Sequence, residues 1–544
     1  MALPFTLADV GAMTRRDVVR AGLAASAGAA LAPALRTGAL AGRAVASPRI
    51  GPGPYGPLQP SNLDGIMVPK GFTVREIARG GVPVGVTGYP WHPFPDGSGS
   101  FRQPDGSWIF VSNCEVPGVL PGGVRGGASA IHFNKDGSVR DAYRILDGTD
   151  TNCGGGTTPW GTWLSGEEVD GGLVWECDPK GKKPAVARPA LGVFSHEYVV
   201  VHARQRRLYL TEDQSGGGFY RFEPARWGDL SSGVLEIATL RPDGFVSWTR
   251  VPDPSGRSKP TREQVPAASK LKRPEGLCVD PLSGVVYFVE SSAGRVYAYD
   301  PISHAYDVVY AEDDYKEPIL TDPDNAIVCP RSGDLLVCED AGDFDICLIS
   351  TEGVIARFVH MDGVQHGDPS TDASSETTGP SFDPSGTRLY FSSQRAYVSG
   401  AVYEVTGPWR KRTAPREPDP GKPRPRPGPL PLRFRIEARH ALKASRLPEH
   451  GMRVSLIPSQ RVDAEVVLRA ARRHRRTGQS RWVTLGRVRR GGLPRGRTKV
   501  HLALSDAGER YVAGVRETVH GQLVATATNR AGRRVRVTRP VTIS

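Results

Sequence analysis

The sequence predicts an all-β protein: a six-bladed β-propeller, a proline-rich linker and a small immunoglobulin-like β-sandwich. Three observations lead there. A hairpin pattern recurs six times, Pro415–Pro431 holds eight prolines in 17 residues, and charge is segregated along the 544 residues. Residues 410–544 carry 33 Lys and Arg against 9 Asp and Glu, whereas residues 1–409 carry 37 against 48. The net charge of +13 therefore joins an acidic body to a basic tail. That is not the uniform charge of a nucleic-acid binder. With 64 Gly and 47 Pro the chain is turn-rich, yet 39% hydrophobic residues argue against wholesale disorder. No apolar run is long enough for an ordinary membrane-spanning helix.

Taken from the N-terminus, residues 1–46 read as a signal peptide. Thr14-Arg15-Arg16-Asp17-Val18-Val19 is a twin-arginine pattern, Ala21–Leu35 is an uncharged stretch of signal length, and Ala44-Val45-Ala46 offers a small-x-small cleavage site. A chance Arg pair ahead of a general secretory signal is the competing reading. Export of folded cargo by the twin-arginine route suits a cofactor loaded inside the cell, and points to an extracellular or envelope location.

Residues 47–409 form the acidic body. Its repeat is an apolar strand ending in a polar or acidic residue, a Gly-containing turn and a second strand. Trp108–Glu115 pairs with Ala128–Phe133, Thr162–Glu168 with Gly172–Asp178, and Arg207–Asp213 with Gly218–Glu223. Val286–Ser291 pairs with Arg295–Asp300, Asp334–Asp340 with Asp345–Ser350, and Arg388–Gln394 with Ala401–Thr406. A longer step between the third and fourth hairpins holds an insertion around Arg226–Lys270. Units of ~40–50 residues, each worth three or four strands, are the signature of a propeller. Four hairpins follow a further apolar segment, at Glu197–His202, Glu275–Asp280, Asn325–Cys329 and Gly379–Asp383.

In a propeller the first strand of each blade lines the axis. The entrances to those strands read Ser195-His196-Glu197, Arg273-Pro274-Glu275, Asp322-Pro323-Asp324-Asn325 and Glu376-Thr377-Thr378-Gly379-Pro380. Carboxylates converging on a narrow mouth repel unless cations hold them, and hard oxygen donors suit Ca²⁺ or another hard ion. The plainer alternative is that these acids are solvated turn residues. Seven cysteines show no CxxC pair, which argues against a zinc knuckle or a thioredoxin motif. Cys278, Cys338 and Cys347 sit in apolar strands and read as buried hydrophobes. Cys153 is expected in a Gly-rich turn with little core around it, so a ligand role is preferred to burial or a disulfide.

Thr151-Asn152-Cys153-Gly154-Gly155-Gly156-Thr157-Thr158-Pro159-Trp160-Gly161-Thr162-Trp163-Leu164-Ser165-Gly166-Glu167-Glu168 resembles the signature of the PhoX-type alkaline phosphatases, part of a broader bacterial family of unknown function. His196-Glu197, the Tyr209–Asp213 strand, Arg273-Pro274-Glu275, Pro323-Asp324-Asn325 and Thr378-Gly379-Pro380 follow in the expected order, so the resemblance spans about 55–409. It implies a six-bladed propeller that hydrolyses small phosphomonoesters with Fe³⁺ and Ca²⁺ in its mouth. It implies Cys153 as a thiolate ligand to iron, Glu197 and Glu275 as carboxylate ligands, and Arg273 as a phosphate contact. Asp324, Glu168 and Glu376 join the implied metal set. Two departures stand out. Asn113-Cys114-Glu115 replaces the family's Asn-His-Glu, and Gly166-Glu167-Glu168 replaces its Cys-Glu-Glu. A catalytically silent ligand-binding propeller with structural calcium is the alternative. A lactonase with a lone calcium site is disfavoured, since it has no use for the Cys153 thiolate.

Residues 410–431 form the linker, an extended polyproline-like spacer interleaved with Arg and Lys. Residues 432–544 alternate in the β manner at Arg453–Ile457, Ala464–Ala470, Trp482–Val488, Thr498–Leu504 and Leu523–Ala527, with a turn at Asn529-Arg530-Ala531-Gly532. The Arg472–Arg476 cluster is expected on a loop. This basic module carries no visible chemistry and suits attachment to anionic cell-envelope polymers. The chain is expected to be a monomer, with no nucleic-acid partner and no transmembrane helix.

Overall fold

The computed structural model describes residues 48–340, 343–366, 375–412, 434–438, 441–458, 462–473, 480–493, 498–516, 518–529 and 534–544. The twin-arginine segment, the Pro415–Pro431 spacer, the arginine cluster beyond Arg473 and the turn after Asn529 lie outside them. The described residues are nearly all β, and the chain divides into two units, Met1–Pro415 and Arg416–Ser544. No helix among them is long and apolar enough to cross a membrane.

Among the described residues of the first unit, six sheets of four or more strands follow in chain order, antiparallel except where Arg49–Ile50 joins the fifth. The first runs Pro95–Arg102, Trp108–Cys114, Gly126–Phe133 and Val139–Thr149. The second runs Asn152–Thr157, Trp163–Glu167, Val174–Cys177 and Val186–Ala187. The third begins at His196–His202, the fourth at Pro274–Val279, the fifth at Pro323–Val328 and the sixth at Thr377–Phe382. All six expected hairpins pair as read. The insertion after Arg226 supplies two more strands of the third sheet, Asp229–Leu240 and Val246–Arg250.

The first strands pack on one another from sheet to sheet, and the sixth returns to the first, closing a cycle. The outermost strand of the sixth sheet is Thr73–Arg79, paired with Ala401–Thr406. Ile66–Pro69 likewise joins the edge of the fifth sheet beside Val354–Met361. Each sheet is covered on both faces, which explains why its second strand reads as a continuous apolar run rather than an alternation. Leu336 and Cys338 pack with Leu389 and Phe391 of the sixth sheet. Leu335 and Val337, one residue out of phase, pack with Val289 and Val296 of the fourth.

One sequence expectation fails here. Cys153-Gly154-Gly155-Gly156 is not a turn but the inner strand of the second sheet, and Cys153 is only 1% exposed. The glycines are demanded by close approach. A Cβ on Gly154 would lie 2.2 Å from the Glu197 carbonyl oxygen, and one on Gly156 2.1 Å from that of Val199. All seven cysteines are buried and unpaired.

The second unit has two sheets around one core. Phe434–Ala438, Met452–Pro458 and Thr498–Leu502 form one, and Ala441–Leu442, Arg534–Ile543, Val519–Asn529, Val462–Arg473 and Ser480–Leu493 the other. Ile436, Val454 and Leu502 meet Val466, Leu468, Leu523 and Ile543 between them. A short helix, Asp506–Ala513, is capped by Ser505, whose Oγ accepts from the Gly508 amide at 3.2 Å.

Candidate metal centre

The site is built from one device repeated around the cycle. Each inner strand starts opposite the end of its neighbour: Pro95 faces Cys114, Asn152 faces Glu167, His196 faces Glu212, Pro274 faces Glu290, and Pro323 faces Glu339. Immediately after that pair, in each of these five sheets, the register slips. The bulged residues are Asp96-Gly97, Cys153-Gly154, Glu197-Tyr198, Glu275-Gly276 and Asp324-Asn325. A bulge re-aims a side chain without breaking the sheet, and is common beside active sites. Here each begins with a residue whose side chain can ligate a metal.

The neighbouring strand contributes a dyad at its end. The first acid of the dyad braces the backbone. Glu167 accepts from the amides of Asp150 and Leu173, each at 3.1 Å, and Glu339 from those of Thr321 and Asp345 at 2.7 and 3.1 Å. The second position brings Glu168 to the Cys153–Glu197 group and Asp213 and Asp340 to Arg273.

Among the described residues three groups of donor atoms result, each with all its atoms within 4.8 Å of one another: Asp96, Glu115 and Cys153; Cys153, Glu168 and Glu197; Glu197, Glu275 and Asp324. Cys153 and Glu197 are shared, so the groups form one row. The Cys153 thiol lies 3.2 and 3.3 Å from the two Glu197 oxygens. Burial, followed by the charges of Asp96 and Glu197, pushes this thiol well above its ordinary range. Burial, followed by Glu275, Glu168 and Asp324, raises Glu197 well above the usual carboxylate range. Glu275 is raised too, by burial first, with Arg273 opposing. Its Oε2 is buried without a hydrogen-bond partner. Such a set of buried, mutually repelling donors fits cations that would neutralise it.

Of the residues expected from sequence, Cys153, Glu168, Glu197, Glu275 and Asp324 come together. Arg273 lies at the end of the row, its backbone at φ +54°. Its guanidinium binds both Asp213 oxygens at 2.9 Å, Glu275 at 2.8 Å and Asp340 at 3.2 Å. Glu376 stands apart from the three groups and pairs with Arg395 at 3.4 Å. Sequence reasoning missed Asp96 and Glu115. The available signal was the acid-Gly dipeptide Asp96-Gly97, which matches Glu275-Gly276 and the thiol-Gly pair Cys153-Gly154. The glycine at 166 also has a local reason, since a Cβ there would press on the His196 carbonyl oxygen at 2.9 Å.

The family model described as alkaline phosphatase PhoX matches residues 122–173 and 169–396, half of the chain. No curated protein matches the sequence. Among solved structures, the gluconolactonase XC5397 from Xanthomonas campestris is 13% identical with a TM-score of 0.38, covering 65% of this chain and 98% of its own. A protein of unknown function from Bacteroides thetaiotaomicron is 10% identical with a TM-score of 0.39, covering 62% and 76%. A luciferin-regenerating enzyme is 17% identical with a TM-score of 0.32, covering 63% and 98%.

Proposed function

The chain belongs to the alkaline phosphatase PhoX family, and from that premise we propose that it is an exported, metal-dependent phosphatase acting on small phosphomonoesters in the mouth of a six-bladed β-propeller. The observation that carries this reading is the Cys153 thiol set within a row of buried carboxylates. A soft thiolate beside hard oxygens suits iron, and the carboxylate-only group of Glu197, Glu275 and Asp324 suits calcium. Cations bound there would supply Lewis acidity to the phosphoryl oxygens.

The chain's own residues bind and orient. Asp213, Glu275 and Asp340 hold the Arg273 fork at the end of the row. In this reading the arginine turns part of that fork to a phosphate oxygen, exchanging one charge-assisted bond for another. The closed cycle of inner strands supports the six-bladed count. The two sheets around one core support an immunoglobulin-like second unit. The twin-arginine pattern supports export of a chain already folded around its metals.

The basic unit is read as attaching to anionic envelope polymers, the protein itself being a monomer. Exposed Arg487, Arg489, Arg490 and Arg536 support that attachment.

One observation favours the alternative, a catalytically silent ligand-binding propeller: the Arg273 guanidinium is already held by three carboxylates. Elemental analysis of protein exported from its own host, paired with a phosphomonoesterase assay, separates the readings. Iron and calcium with chelator-sensitive turnover are expected. Turnover at full rate in iron-free protein overturns the iron assignment, and calcium without turnover favours the alternative.

A further inference from the structure

The sixth sheet breaks the repeat. Its register slip falls later than in the other five, at Gly379-Pro380, so Thr378 stays paired opposite Ser392. The Thr378 hydroxyl donates to the Pro95 carbonyl oxygen at 2.9 Å rather than joining the donor row. The place is filled from the neighbouring strand. Gln394, at the second dyad position, donates from Nε2 to Asp96 Oδ2 at 2.7 Å and to Glu115 Oε2. Gln394 is 1% exposed, and its Oε1 is buried without a hydrogen-bond partner.

We propose that Gln394 is a positioning residue for a cation held by Asp96, Glu115 and Cys153. The inference rests on the metal reading above and goes beyond it. One amide offers two N–H donors and no charge. It can therefore strap two carboxylates together without bringing in a positive charge that would compete with a cation. An arginine here would bring a positive charge of its own and compete with the cation. A hydrocarbon would leave two buried acids to repel each other and swing apart. The unspent Oε1 completes the argument, because a buried acceptor on an amide that holds two of the three candidate ligands has a natural partner in a cation or its bound water.

The test uses the full chain reconstituted with iron(II) and calcium, read by metal equivalents per chain and by the chelator concentration that strips half of each metal. Gln394→Met keeps length and removes both donors. One metal equivalent is expected to be lost at a roughly tenfold to hundredfold lower chelator concentration. Gln394→Glu aims a third carboxylate at the same point and is expected to move the same equivalent the other way, by about tenfold. Opposite shifts confined to one equivalent support the proposal, since structural damage would move both variants alike. If Gln394→Met does not fold, Gln394→Glu decides. Metal retention unchanged in either folded variant, or shifted the same way in both, overturns the role of Gln394 while the metal reading stands. Wild-type protein that binds no metal overturns both.

Discussion

Asn113 grips the backbone of Cys153 from the adjoining sheet. Its Nδ2 donates to the carbonyl oxygens of Cys153 and Gly154 at 2.7 and 2.9 Å, and its Oδ1 accepts from Trp163 Nε1 and Ser165 Oγ, each at 2.9 Å. Both N–H donors and both oxygen lone pairs of this fully buried amide are engaged, and the effect is to fix where the thiol stands. Asn113→Leu would leave two carbonyls, an indole and a hydroxyl without that partner. A loss of about 3 kcal/mol in folding free energy is expected, checked by urea unfolding. Iron content should fall with it in whatever fraction still folds.

Cys153 and Cys278 are both buried thiols, but only one faces the donor row. Cys153→Ser exchanges a soft ligand for a weak one, so iron and any iron–thiolate absorbance are expected to disappear. Cys278→Ser should retain both and lose only packing stability. Equal metal loss in the two proteins would make Cys153 merely structural.

Gly154 and Gly161 are expected to respond differently to alanine. At 154 the added Cβ meets the Glu197 carbonyl and the Tyr198 ring at 2.2 Å, across the seam between two inner strands. Overpacking should cost about 3 kcal/mol and shift the metal site with it. At 161, with φ +87° and open space around it, only backbone strain is paid, about 1 kcal/mol. Thermal unfolding of the two variants with metal analysis checks the contrast.

His360 gives a pH dependence away from the centre. Its Nδ1 lies 2.8 Å from Asp345 Oδ1, and that hydrogen bond raises the imidazole above its usual pKa of 6.5. Arg357 also faces Asp345 and opposes the shift without reversing it. A folded-state pKa above the unfolded one stabilises fully below pH 6.5, and that stability is lost as pH rises through the folded value. His360→Asn should flatten this decline just above pH 6.5, measured by unfolding at several pH values. An unchanged slope would refute the assignment.

The basic unit can be tested by truncation, and the contacts say where. Arg410 binds Asp334 and Glu352, and Arg412 lies 3.1 Å from buried Asp280, so both arginines belong to the first unit's packing. Chains ending at Pro415 are expected to keep turnover per molecule but to leave isolated envelopes, whereas binding by the full chain should weaken with salt. Equal partitioning at low salt would remove the attachment role.

The hairpins were legible because doubly covered strands such as Arg207–Glu212 and Leu335–Glu339 are apolar on both faces. The inner strands were harder. Pro95–Arg102 gives no apolar signal because its residues are small and polar where strands crowd the axis, and the Gly-rich run from Cys153 reads as turn for the same reason. Asp96 and Glu115 escaped because their partnership with Cys153 crosses two sheets. No spacing along the chain encodes it, and the bulges that aim these side chains are set by pairing rather than by composition.

The pairing of Thr73–Arg79 with Ala401–Thr406 ties the start of the first unit to its end. A ribosome delivers these two strands more than three hundred residues apart, so the sixth sheet cannot be completed until nearly the whole unit has been synthesised. Asp96 on the first inner strand and Asp324 on the fifth are therefore expected to reach their final separation only once the ring closes. A nascent or prematurely terminated chain would expose unpaired edges and lack a finished donor row. If the donor row holds metal, loading is expected to await the end of synthesis, and circular permutants that open the ring elsewhere should move that point without altering the finished site.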